Sequence, residues 1–210
     1  MRTVRVCSTV VFAALASCNR GAKTGTAPET PAPPLVGYAA QRLVVTPTIR
    51  VTFSETDSLV RELGTASAVG RYLDGELLQR LRERGLGANW ILPADLVRAY
   101  ERNRRYAADP YQLVIEPLRS PRFIAGSKYA EPLSSQLRTM IALHDDARLV
   151  LLPMSLRLQS GRAVLRVALL DPRFAEARWV GEIRSDSAAA PSRSSLTQVS
   201  RRLADLFVAP

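Results

Sequence analysis

The chain has 210 residues, 29 Lys or Arg against 19 Asp or Glu, and a formal charge of +10, with two cysteines and one histidine. About 170 residues beyond the first forty suit one domain large enough to bury a core. Two cysteines exclude a disulfide-framed scaffold, and one imidazole excludes any site built from several histidines.

Met1 to Arg5 carries Arg2 and Arg5 without an acid, and Val6 to Ala16 is apolar apart from Ser8 and Thr9. This has the form of an export signal and is too short for a spanning helix, which needs about 20 apolar residues. Leu15-Ala16-Ser17-Cys18 closes it and resembles a bacterial lipobox. The expectation is a signal peptide over 1–17 and acylation of Cys18, where each buried methylene contributes about 0.8 kcal/mol to membrane retention. Cys7 would leave with the signal, so the folded part would hold no thiol. Residues 18–40 are rich in Pro, Thr, Gly and Ala and read as the lipidated cysteine followed by a disordered linker, with the domain over 41–210. Asn19 after the anchor points to transfer to an outer membrane, with the domain facing the periplasm.

Leu43 to Ile49 reads as the first strand, and Ser54 to Ala68 as a loop or short helical turn. Val69, Leu73, Leu77, Leu78 and Leu81 recur at helical spacing up to Arg84, where Gly85 and Gly87 supply a stop. Trp90-Ile91-Leu92 reads as a short strand, and Pro93 with Asp95 opens another helix with Leu96, Val97 and Tyr100 inward. Tyr106 to Glu131 is broken by Pro110, Pro117 and Pro121, with Leu113-Val114-Ile115 as an isolated strand. Leu133, Leu137, Met140 and Ile141 form a helical stripe ending near His144. The period then becomes two: Val150, Leu152, Met154, Leu156 and Leu158 on one face, a turn at Gln159-Ser160-Gly161-Arg162, then Leu165, Val167 and Leu169. Trp179, Gly181 and Ile183 mark a half-buried strand, and Leu196, Val199, Leu203, Leu206 and Phe207 a closing helix.

The predicted fold is α/β (α+β): a mixed sheet of five to six strands with helices on one side, a carboxyl-terminal three-strand meander and a closing helix. Three segments resemble a family of small envelope domains, the TolB amino-terminal, CsgG and LpoB domains. They are Val44-Val45-Thr46-Pro47, Asp146-Ala147-Arg148-Leu149-Val150, and Val167-Ala168-Leu169-Leu170-Asp171 followed by Arg178-Trp179-Val180-Gly181. The resemblance implies a non-catalytic adaptor or partner-binding domain on a membrane, facing the periplasm. Ser54–Ala68 and Tyr106–Glu131 have no counterpart in it.

Arg98, Arg102, Arg104 and Arg105, interleaved with Tyr100 and Tyr106, form the densest basic patch. An export signal argues against nucleic acid, which leaves a protein partner, anionic lipid or a cell-wall polymer. The long insert is a second candidate surface, through Arg119, Arg122, Lys128 and Tyr129. Trp90 and Trp179 are expected in the core. His144-Asp145-Asp146 are consecutive and therefore diverge, so no metal site, catalytic set or cofactor is expected. Asp74, Glu76, Asp95 and Glu101 are placed on exposed helix faces. The expected function is a membrane-anchored adaptor, with a module for cell-wall polymer or anionic glycan as the alternative and a hydrolase as the third reading.

Overall fold

A computed structural model describes residues 34–53, 58–144 and 147–208. The export signal, Cys18 and the linker as far as residue 33 lie outside the described residues, as do Asp145 and Asp146. The packed region opens earlier than Gln41. Leu35 is fully buried, its N–H donates to the Leu206 carbonyl at 3.1 Å, and Val36–Tyr38 forms a 3-10 turn.

The elements are β1 (Leu43–Val45), β2 (Val51–Thr52), α1 (Ser58–Leu63), α2 (Ala66–Glu83), α3 (Pro93–Arg102), α4 (Leu133–Ala142), β3 (Leu149–Gln159), β4 (Arg162–Asp171), β5 (Glu176–Arg184) and α5 (Arg193–Asp205). The strands form one mixed sheet in the order β1-β3-β4-β5. β1 and β2 both lie parallel to β3, and β3, β4 and β5 form the antiparallel meander.

The expected first strand is two pieces. The strand is interrupted around Pro47, which has no N–H to donate; Thr46 and Ile49 still donate to the Leu151 and Pro153 carbonyls of β3 at 3.0 and 3.1 Å, and regular pairing resumes at Val51. Trp90 to Leu92 makes one parallel bridge, Ile91 with Val44, in place of a strand. α3 starts where proline tolerates a first turn, and Asp95 Oδ2 accepts the Leu92 N–H at 3.3 Å.

Helices cover both faces of the sheet, where one covered face was expected. α2 and α5 lie on one face, with Leu73, Leu77, Leu81, Val199 and Leu203 against Leu151, Leu156, Leu165 and Leu169. Trp90 closes the end of this core, edge-on to Phe207 with ring centroids 5.0 Å apart. Trp179 packs on the same core, and its ring lies over Gly181. The other face is covered by α3, α4 and the insert, whose Leu113, Ile115, Leu118, Phe123 and Tyr129 join Val150, Leu152 and Leu170. Leu113-Val114-Ile115 is no strand; it is a core-filling segment held where the Val114 N–H donates to Gln136 Oε1 at 3.0 Å. Arg166 of β4 fixes the same insert by donating to the carbonyls of Arg119, Ser120 and Phe123 at 3.0, 2.8 and 3.2 Å.

The alternation in β3 does not run through. Val150, Leu152 and Met154 face the insert, whereas Leu156 and Leu158 face α2 and α5. A register shift between Pro153 and Ser155 inserts one residue and reverses the parity of everything after it. Pro153 sits in the gap between the β1 and β2 pairings, where no ladder donor is needed. The bulge turns Arg157 and Gln159 onto the face that β4 supplies with Arg162 and Arg166.

Candidate functional site

Where the chain leaves β1, it opens an acidic-floored cleft of about 520 Å³ against α2, lined among others by Thr48, Arg50, Gly70, Arg71, Asp74 and Tyr111. Gly70 has no side chain to fill it: a Cβ there would stand 3.5 Å from Val51 Cγ2. Asp74 is not on an exposed helix face. Its Oδ1 accepts both the N–H of Thr48 at 2.9 Å and the Thr48 hydroxyl at 2.6 Å. Burial pushes its pKa up to about 6, against the pull of those two bonds. Tyr111 is exposed on the rim, and burial together with the Asp74 charge raises its phenol. A carboxyl near neutrality, between two exposed arginines and a tyrosine, provides one group that accepts or donates a proton and several that donate hydrogen bonds.

Glu76 is also withdrawn from solvent. It bridges two helices, accepting from the Thr197 hydroxyl at 2.7 Å and from Arg80 at 3.5 Å. Asp95 caps α3, and Glu101 stays exposed.

Arg98, Arg102, Arg104 and Arg105 remain together on the exposed side of α3 and the turn after it. Arg98 pairs with Asp95, and the Arg104 guanidinium lies 6.0 Å from the Tyr100 ring centre. Arg119 and Arg122 are exposed, and Lys128 pairs with Glu176 at 2.7 Å. Tyr129 is a correction: it is buried among the core residues of the insert and offers no surface contact. Its hydroxyl has no hydrogen-bond partner among the described residues, and burial pushes its pKa up. Tyr129→Phe is expected to leave stability unchanged or raise it by about 1 kcal/mol, because it deletes an unsatisfied buried hydroxyl. Urea denaturation of both proteins checks this, and a loss of stability would mean that the hydroxyl is satisfied.

A second set of arginines comes together only in three dimensions. Arg50, Arg119, Arg157 and Arg166 line a pocket of about 140 Å³, and Arg157 also lines the next one, of about 280 Å³, with Arg162 and Arg184. Together they make an arginine shelf on the upper part of the sheet face that the insert covers lower down. Glu182 stands among them, 2.6 Å from Arg157 and 3.0 Å from Arg184. Burial works to raise its carboxyl, but these guanidinium groups outweigh it and hold it below the usual range. In the sequence Arg157, Arg162, Arg166 and Arg184 are spread singly along three strands and Arg50 and Arg119 lie in connections, so no run of charge announces them.

Among the described residues no three His, Cys, Asp or Glu side chains are grouped to hold a metal ion, and no helix is long and apolar enough to cross a membrane. His144 lies just beyond α4.

No family model and no curated protein matches the chain. Among solved structures it is similar to the LpoB carboxyl-terminal domain from Salmonella enterica, at 17% identity and a TM-score of 0.42, over 73% of this chain and 94% of that one. It is also similar to PelC from Paraburkholderia phytofirmans, described as a dodecamer, at 15% identity and a TM-score of 0.39, over 85% of this chain and 95% of that one.

Proposed function

We propose that this protein is an envelope lipoprotein, held by acylated Cys18 in the outer membrane, whose periplasm-facing domain binds a protein partner without catalytic turnover. The observation that carries the reading is the Asp74 cleft. A half-buried carboxyl in an open cleft costs the fold stability, and a polar group kept under such conditions is suited to recognition. Tyr111 supplies an aromatic anchor at the rim, and Arg50 and Arg71 supply donors for a partner's carbonyls or carboxylates. The resemblance of the sequence segments to the TolB amino-terminal, CsgG and LpoB domains agrees with an adaptor role.

Crosslinking in cells with the full lipidated chain, followed by affinity purification, tests it. The expected result is a discrete partner that is lost with Arg71→Glu and with Tyr111→Ala while the protein stays at its normal level. A partner retained by both variants would move the site elsewhere, and turnover in a hydrolase substrate panel would replace the adaptor reading. Metabolic labelling with palmitate, abolished by Cys18→Ala, tests the anchor separately.

A further inference from the structure

We propose that the arginine shelf is a second binding site, adjoining the Asp74 cleft and sharing Arg50 with it, and that it takes an anionic polysaccharide carrying repeated carboxylates. Arg157 of β3, Arg162 and Arg166 of β4 and Arg184 of β5 share one sheet face, and Arg50 and Arg119 close its inner end. The register places Arg157 and Arg184 on either side of Val164, with Arg162 and Arg166 two residues before and after it on β4, so the four cations ring that position, about 4.8 Å from it across strands and about 7 Å from it along the strand. Glu182 neutralises part of that charge through Arg157 and Arg184. Arg50, Arg119 and Arg162 form no ion pair with any described residue. Guanidinium forks without an acidic partner pair with carboxylates two bonds at a time, whereas Arg166 commits its own to the carbonyls of the insert and contributes charge alone.

The shelf also lacks what a protein interface is built around. Among the described residues the exposed large apolar side chains are Tyr106, Tyr111, Ile124 and Phe174, and none of them lines its two pockets. Without an aromatic or aliphatic anchor, a flat cationic surface favours a ligand that brings charge at intervals over one that brings a hot spot. The bulge after Pro153 is what makes the surface, because without the parity change Arg157 would point to the opposite side from Arg162 and Arg166. Binding is a property of the shelf alone; only the identity of the polymer it meets rests on the envelope placement proposed above.

The test uses the chain from residue 18 onward with Cys18→Ser, and polygalacturonate as the probe. Binding is measured by calorimetry across a salt series. Arg119→Ala/Arg162→Ala/Arg184→Ala removes three shelf cations, and Arg98→Ala/Arg102→Ala/Arg105→Ala removes the same charge from α3. The expected result is at least a tenfold loss of affinity with the first triple variant and less than a twofold loss with the second. The salt dependence should be shallower for the first variant alone. Asp74→Asn should leave polygalacturonate binding unchanged, which separates this site from the cleft. Equal losses in the two triple variants would reduce the effect to net charge and overturn the site. Absence of polygalacturonate binding at low salt would overturn it as well. So would the finding that the partner captured through the cleft loses its contact in the shelf variant while the polysaccharide does not.

Discussion

Gly161→Val is expected to destabilise the protein by about 3–5 kcal/mol, a large fraction of the 5–15 kcal/mol that holds a domain of this size together. Gly161 sits at φ +71°, and Ser160 before it at φ +49°, so the β3–β4 hairpin closes with two left-handed residues. That geometry matches the twist of the flanking strands but strains any side chain, above all a β-branched one. Space is the second term. A Cβ on Gly161 would stand 1.8 Å from the Ala188 carbonyl oxygen, in a loop that also donates its Ala188 N–H to the Gly161 carbonyl at 3.0 Å. The substitution therefore forces apart the hairpin and the connection from β5 to α5, and that hydrogen bond is lost as well. Urea denaturation measures the effect. A midpoint within experimental error of the parent would mean that the hairpin does not pack under the Ala188 loop.

Asp74→Asn should do the opposite, raising stability at pH 8 by about 2 kcal/mol. In the folded protein Asp74 holds its proton to about pH 6, whereas an unperturbed aspartate loses it near 3.8. Between those values the folded state binds more protons than the unfolded state. Stability from this group is therefore full below about pH 4, falls as pH rises through that window, and stays reduced above it. About two pH units at 1.36 kcal/mol each set the ceiling, and partial contact with water keeps the effect below it. The asparagine oxygen still accepts both bonds from Thr48 and carries no charge into the cleft. The difference in unfolding free energy between parent and variant, followed from pH 4 to pH 8, isolates Asp74 from the other carboxyl groups. A difference that stays flat, or favours the parent at high pH, would show that Asp74 is solvated like a surface acid. The same variant should lose the captured partner if the charged form makes the contact, so the protein would become more stable and less functional.

Much of the secondary structure was legible because it follows from nearest-neighbour chemistry. The α2 stripe of Val69, Leu73, Leu77 and Leu81, the Pro93 and Asp95 start of α3, and the hairpin at Ser160-Gly161 all lie where their residues place them. The placement of Trp90 and Trp179 against the core followed from alternation and bulk. The Tyr106–Glu131 insert was legible as irregular, but its job was not. Its apolar residues have no period, and only the uncovered second face of the sheet explains why Leu113, Ile115, Leu118, Phe123 and Tyr129 are buried.

The two candidate sites were hidden for different reasons. Asp74 occupies a helix position that would be exposed if nothing packed beside it, and the segment that covers it, at Thr48, is 26 residues away. The arginine shelf depends on a parity change in β3. Pro153 was the available clue, since a proline within a long central strand marks an interruption of its ladder.

By itself the sequence determined the charge, the export and lipidation pattern to be tested at Cys18, the local helix and turn signals, and an α/β order of elements. Those depend on residues within a few positions of one another. Only the tertiary structure decided that both sheet faces are covered, that Asp74 is desolvated, and that arginines from three strands and two connections share one surface. Burial and charge convergence arise between segments far apart in the chain, and one bulge is enough to send a side chain to the opposite face.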